Sequence, residues 1–187
     1  MKNLAVFISG FGSNLQTIAE FCEKNHTLAK IQVVISNKSD VNGLKIAESF
    51  GIKTVVIPTK ARKIQEFEQD CQPHLEGVDI LCLAGFMRIL SPEFTQKWHE
   101  RMVNIHPSLL PSFKGENAIQ DALTHGVKIT GCTVHFVEAE IDSGRVIAQE
   151  PVRIDDFETP QSLREKMRFA EKITYTQALK FLTVNFT

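Results

Sequence analysis

Apolar residues gather into short uninterrupted runs at residues 4–8, 31–35, 54–57 and 79–84, each rich in Val, Ile or Leu and bounded by turn-forming residues. Continuous rather than alternating runs predict strands covered on both faces. Segments with helical spacing fill the gaps. The first opens at Ser13 or Asn14, both good capping residues, and sets Leu15, Ile18, Ala19 and Cys22 on one face. A second covers 41–50 and stops at Gly51. A third spans about 62–75, where Pro73 breaks the last turn. This strand–helix alternation implies an α/β fold: a Rossmann-like, open, mostly parallel sheet with helices on both faces and right-handed crossovers.

The pattern changes after residue 84. A short helix is predicted at 92–99 and a fifth strand at 102–105. Residues 106–115, with two prolines and a glycine, read as an ordered loop, followed by a helix at 117–125. Polar and apolar residues alternate over 130–137, and more weakly over 145–152, which predicts an antiparallel pair at the sheet edge near the C-terminal end. Residues 138–144 join the two. A closing helix at about 159–182 carries a stripe of Leu163, Met167, Ala170, Thr174, Ala178 and Phe181. A single domain over 1–187 accounts for all of it.

Composition narrows the function. Across 187 residues, 43% are hydrophobic and 23% charged, and 21 basic residues face 22 acidic ones for a net charge of -1. No stretch gathers Lys and Arg into a track for nucleic acid, so nucleic acid is not an expected partner. A small anion can still be held by a helix end. The cysteines Cys22, Cys71, Cys82 and Cys132 form no CxxC pair and fit buried thiols in a reducing compartment. Gly10 and Gly12 interrupt the first apolar run before a signal core forms, and no run reaches the ~20 apolar residues of a membrane span. The expected location is the cytoplasm, away from membranes.

Two stretches carry candidate chemistry. Ser9-Gly10-Phe11-Gly12-Ser13-Asn14 leads from the first strand into the first helix, where free N–H groups and the helix dipole face any anion. The position for a third dinucleotide glycine is Leu15, which disfavours NAD. Two readings fit this stretch, a phosphate cradle and a plain tight turn; its place at the carboxyl end of a parallel strand favours a ligand. Asn104-Ile105-His106 ends the fifth strand, so Asn104 and His106 share a face. Acyl or formyl transfer needs a hydrogen-bond donor for the developing oxyanion and a group that handles the nucleophile's proton. An amide and an imidazole meet those needs, yet a histidine before Pro107 serves equally as a turn residue. The residue types leave both readings open.

The string Met102-Val103-Asn104-Ile105-His106-Pro107-Ser108-Leu109-Leu110-Pro111-Ser112-Phe113-Lys114-Gly115 resembles the signature loop of the folate-dependent formyltransferases, most closely of the branch acting in purine synthesis. The resemblance continues in residues 9–14, 131–137 and 142–144. It implies direct attack by the amine of glycinamide ribonucleotide on the formyl group of 10-formyltetrahydrofolate, a co-substrate, with no metal. It also implies that Asn104 holds the formyl oxygen, His106 acts as acid/base or oxyanion partner, and Asp142 orients His106. Gly12, Ser13, Asn14 and Glu171 match the nucleotide side. Arg62, Met87, Arg88, Ile89, Leu90 and the loop Glu138, Ala139, Glu140, Ile141 and Asp142 match the folate side. His135 reads as structural. Residues 1–100 then form the nucleotide-binding half, and 101–187 the catalytic loop, edge strands and last helix. Arg145 and Thr176 stand where the family commonly has proline, which puts the path of the folate loop in question, and the chain stops without the longer tail of many relatives. A homodimer is left open.

Overall fold

The computed structural model describes residues 1–185. Among them, strands β1 (Lys2–Ile8), β2 (Ala29–Ser36), β3 (Thr54–Val56), β4 (Ile80–Leu83), β5 (Met102–His106), β6 (Ile129–Phe136) and β7 (Val146–Arg153) form one sheet in the order β3-β2-β1-β4-β5-β6-β7. β1 to β5 are parallel, while β6 and β7 each run antiparallel to the preceding strand. Helices α1 (Ser13–Lys24), α2 (Asn42–Ser49), α3 (Ile64–Cys71), α4 (Pro92–Lys97), α5 (Ala118–His125) and α6 (Pro160–Asn185) surround it. The mostly parallel α/β sheet with an antiparallel end is the one the hydrophobic pattern predicts.

Burial on both faces explains the continuous apolar runs of the inner strands, while β3, expected to be covered on both faces, is an edge strand with Val56 exposed. Leu4, Val6 and Ile8 of β1 join one core with Leu15 and Ile18 of α1 and Leu179 of α6. Ala5 and Phe7 enter a second core with Phe67 of α3 and Phe94 of α4. Phe7 meets the Phe67 ring edge-on at 5.7 Å and the Phe86 ring at 5.3 Å. Each such side chain contributes about 1.5–3 kcal/mol on burial, so both layers pull on β1 and fix it at the centre of the sheet.

Three local expectations need correction. α1 opens at Ser13 as expected, but neither Ser13 nor Asn14 caps it: Gly12 is the capping residue, with φ 90, and no side chain caps the helix. A Cβ at Gly12 would lie 2.5 Å from the Cα of Gly43 in α2, so close approach as well as backbone conformation excludes a side chain. Second, the alternation of β6 does not mark a wet face. Thr133 and His135 are buried between β5 and β7, and Thr133 Oγ1 donates to the Ser108 carbonyl at 2.7 Å. A buried polar group with a partner avoids the desolvation penalty that alternation normally signals. Third, Phe181 is exposed, and Tyr175, Leu179 and Leu182 complete the buried face of α6. The helix turns Tyr175 onto β4, where its hydroxyl donates to the Leu83 carbonyl at 3.0 Å. Thr176 lies inside α6, which runs on unbroken.

The edge is guarded. Ile154 N–H donates to the Lys128 carbonyl, so alternate residues of β7 face β6 and Pro151 faces outward, where a missing N–H costs nothing and blocks strand addition.

Candidate active site

The carboxyl ends of β1, β4 and β5 open into two clefts, and β5 divides them. Side-chain alternation sends Asn104 into one and Ile105 into the other.

The first cleft lies over the glycine loop. Gly12, Ser13 and Asn14 line it, and the first-turn N–H groups of α1 are among those a helix leaves without internal partners. Gly43 N–H donates to the Gly10 carbonyl at 3.1 Å and Asn42 Nδ2 to the Phe11 carbonyl at 2.9 Å, which pins the loop to α2. Across the cleft α6 presents Glu171, whose Oε2 accepts from Asn14 Nδ2 at 3.0 Å. Burial pushes the Glu171 carboxyl up, and the Asn14 bond and the charges of Arg168 and Arg164 only partly offset it. Arg164 and Arg168 line the same cleft, and the Arg168 guanidinium lies 5.4 Å from the centre of the Phe11 ring. Sequence reasoning missed both arginines and Gly43. The signal for the arginines was their spacing: 164, 168 and 171 fall on one helical face.

The second cleft is lined by Arg88, Ile89 and Leu90, by Asn104 and His135, and by the loop from Glu138 to Asp142. Two residues assigned to it from sequence lie elsewhere. Met87 lines the glycine-loop cleft, with its N–H donating to Ser9 Oγ at 2.8 Å. Arg62 lines neither cleft; its guanidinium pairs with Asp70 at 2.7 Å and Glu66 at 3.5 Å.

Asn104, His106 and Asp142 converge. His106 Nδ1 lies 3.2 Å from Asp142 Oδ2, and these side chains are only 6% and 9% exposed. The other ring nitrogen of His106 contacts the Phe113 carbonyl at 2.7 Å, which makes Nε2–H the donor. Both nitrogens thus face oxygen atoms, Asp142 Oδ2 on one side and the Phe113 carbonyl on the other. Asp142 Oδ2 also accepts from Gly115 N–H at 2.9 Å, and Oδ1 lies 3.6 Å from His135 Nε2. Burial pushes the Asp142 carboxyl up, but the His135 ring, the Gly115 N–H and the charge of His106 outweigh it and hold the group below its ordinary range.

His135 is more than structural filler. Its Nδ1–H donates to the Phe136 carbonyl at 2.8 Å, which fixes the ring, and Nε2 stands 3.5 Å from Asn104 Nδ2. It borders the cleft beside Asn104 and Asp142, whereas His106 sits behind them. Sequence reasoning read His135 as structural; its strand pattern alone does not show that it faces the same cleft as Asn104. The cysteines offer no rival nucleophile: all four are buried, and burial pushes the thiols of Cys22, Cys82 and Cys132 up to about 12. An amide and two imidazoles around a carboxylate can polarise a carbonyl and move a proton without a covalent protein adduct.

The formyl transferase family model matches residues 2–179 of the chain. The human trifunctional purine biosynthetic protein adenosine-3 is 49% identical over 182 residues, covering 96% of this chain and 18% of that protein, so the chain spans under a fifth of that relative. The phosphoribosylglycinamide formyltransferase of Haemophilus influenzae is 39% identical, covering 98% of this chain and 88% of the relative. The crystal structure of phosphoribosylglycinamide formyltransferase from Anaplasma phagocytophilum superposes with a TM-score of 0.90 at 42% identity, covering 98% of this chain and 87% of that one. With the sheet order, the two clefts and the Asn104–His106–Asp142 grouping, these matches lead to one conclusion: the chain belongs to the formyl transferase family.

Proposed function

We propose that this chain transfers the formyl group of 10-formyltetrahydrofolate to the amine of glycinamide ribonucleotide, a step of purine biosynthesis, as a single formyltransferase domain in the cytoplasm. The observation that carries this reading is the 3.2 Å contact of His106 with Asp142 behind Asn104, at the tip of the strand that separates two clefts. Four buried free thiols support the cytoplasmic location. Gly12, Ser13 and Asn14 hold the phosphate of the nucleotide at the start of α1, Arg164 and Arg168 supply positive charge, and Glu171 accepts from its hydroxyls. The reduced folate lies in the second cleft against Arg88, Ile89, Leu90 and residues 138–142, whose main chain pairs with the edge of its ring system.

The amine nitrogen adds to the formyl carbon, and negative charge develops on the formyl oxygen. Asn104 Nδ2 donates to that oxygen, and His106, held by Asp142, stabilises the charge. Breaking the bond from the formyl carbon to N10 of the folate completes the transfer. The proton lost by the amine is returned to N10, through His106 once its contact with the Phe113 carbonyl opens. Mixing purified protein with both substrates and following the deformylated carrier tests the reading. Turnover that requires the amine supports it; equal turnover without the amine means hydrolysis and overturns it.

A further inference from the structure

The loop that carries Asp142 leaves β6 at Phe136 and returns at Arg145, where Phe136 N–H donates to the Arg145 carbonyl at 2.9 Å. On its inner side the path is set by main-chain packing, because a Cβ on Gly144 would fall 1.8 Å from the Phe136 carbonyl oxygen. Farther along the loop Lys114 Nζ reaches Glu140 Oε1 at 3.4 Å and Ser143 Oγ donates to the Glu140 carbonyl at 2.8 Å, while at its base the outer tie is Arg145. The guanidinium lies 4.6 Å from the centre of the Phe136 ring, and Nη2 donates to Glu100 Oε1 at 3.0 Å. Glu100 sits in the turn between α4 and β5 with a left-handed backbone, φ 54. One side chain therefore ties the base of the loop both to β6 and to the turn that feeds the strand of Asn104.

The loop needs such a tie. Asp142 has φ 50, a conformation that costs a non-glycine residue about 1–3 kcal/mol and persists only where the surroundings impose it. Where the resemblance implies a proline, whose ring restricts the hinge directly, this chain has an arginine that can act only through its contacts.

We infer that Arg145 is a positioning residue for the formyl donor: by clasping Phe136 and Glu100 it holds residues 138–142 in the shape that walls the donor cleft. The inference rests on the proposed assignment of that cleft to the reduced folate. Arg145 and Glu100 are 55% and 50% exposed, so the clasp is modest and its loss should tilt loop geometry without unfolding the protein.

The test measures KM for each substrate, and kcat, in the wild type, Arg145→Met, Arg145→Lys, Glu100→Gln and Ile141→Ala. Arg145→Met should raise the KM for 10-formyltetrahydrofolate about 5-fold, the scale of an exposed ion pair plus one cation–π contact, with kcat lowered by at most about the same factor through Asp142 and the KM for glycinamide ribonucleotide within about 2-fold of wild type. Glu100→Gln should give a smaller rise in the same constant, and Arg145→Lys should recover part of the loss. A general loss of fold would move both KM values instead, and that outcome overturns the positioning role. Ile141→Ala separates the two levels of inference. If it raises the KM of the folate while Arg145→Met and Glu100→Gln do not, the clasp is wrong and the cleft assignment stands. If it leaves the folate unaffected, the cleft assignment fails and takes the clasp with it.

Discussion

The two clefts on either side of β5 are built by different means. The glycine-loop cleft has a floor of main chain, Gly12 and Gly43 in close approach and the N-terminus of α1, faced by a row of charged side chains on α6. The Asp142 cleft is made of side chains and a loop that must be propped, through Gly115 N–H, the two imidazoles and the Arg145 contacts. A rigid main-chain cradle suits a ligand with one fixed anionic group, because preformed N–H groups need no further ordering when it binds. A loop-walled cleft suits a larger ligand that the protein closes upon. Substitutions should therefore separate by cleft, and only the tip of β5 should affect the chemistry itself.

The sharpest way to break this division is at that tip. Asn104→Ala and His106→Ala should each lower kcat by about 10²-fold or more while leaving the affinity for glycinamide ribonucleotide largely unchanged, since each removes an interaction that strengthens as charge develops. Single-turnover kinetics beside a binding titration would check this. Near-normal turnover in either variant removes that residue from the mechanism.

Next in size is the cradle. Gly12→Ala places a methyl group against Gly43 and forces a left-handed residue into strain, so the loop must shift. The KM for glycinamide ribonucleotide should rise about 10-fold or more, the value of one to two charge-assisted hydrogen bonds, with the KM for the folate little altered. Arg168→Met should cost less, about 5-fold in the same constant, because its guanidinium is one of two near the cleft. Equal losses for both substrates in either variant would mean that the clefts do not act separately.

The halves of the molecule differed in how much they revealed beforehand. β1, β2 and β4 and their helices were legible because burial on both faces writes a continuous apolar run, and Gly51 and Pro73 mark the ends of α2 and α3, whereas the run at β3 belongs to an edge strand that leaves Val56 exposed. β6 was legible as a strand of an antiparallel pair, but not that Thr133 and His135 are polar for internal bonding rather than for water, a difference that period-2 patterning cannot express. Asn104 and His106 could be paired from strand alternation alone, but their meeting with Asp142, 36 residues beyond His106 by the sequence numbering, depends on how residues 138–144 fold back. Resemblance supplied that, not spacing. Arg62, matched to the folate side by resemblance, precedes α3 and pairs with Glu66 and Asp70 of that helix, a contact that no motif announces.

The smallest effect offers the finest test, since the clefts hold carboxyl groups shifted in opposite directions. Burial raises Glu171, and the Asn14 bond and nearby arginines do not fully restore it. A carboxyl with a raised native pKa supports the fold when protonated, below its unfolded value near pH ~4.3, and loses that support as pH rises through the native value. Asp142 is lowered: burial opposes its charge, but the His135 ring, the Gly115 N–H and the charge of His106 prevail. Its support is present above the unfolded value near pH ~3.9 and disappears as pH falls through the native one. Glu171→Gln keeps an acceptor for Asn14 and removes the part-buried charge, so the variant should melt slightly above wild type at pH 7 and lose that advantage toward pH 4. Asp142→Asn should melt below wild type at pH 7, with the gap closing in acid. Melting curves between pH 4 and 8 would check both, and parallel rather than opposed slopes would show that the two clefts do not treat their carboxyl groups differently.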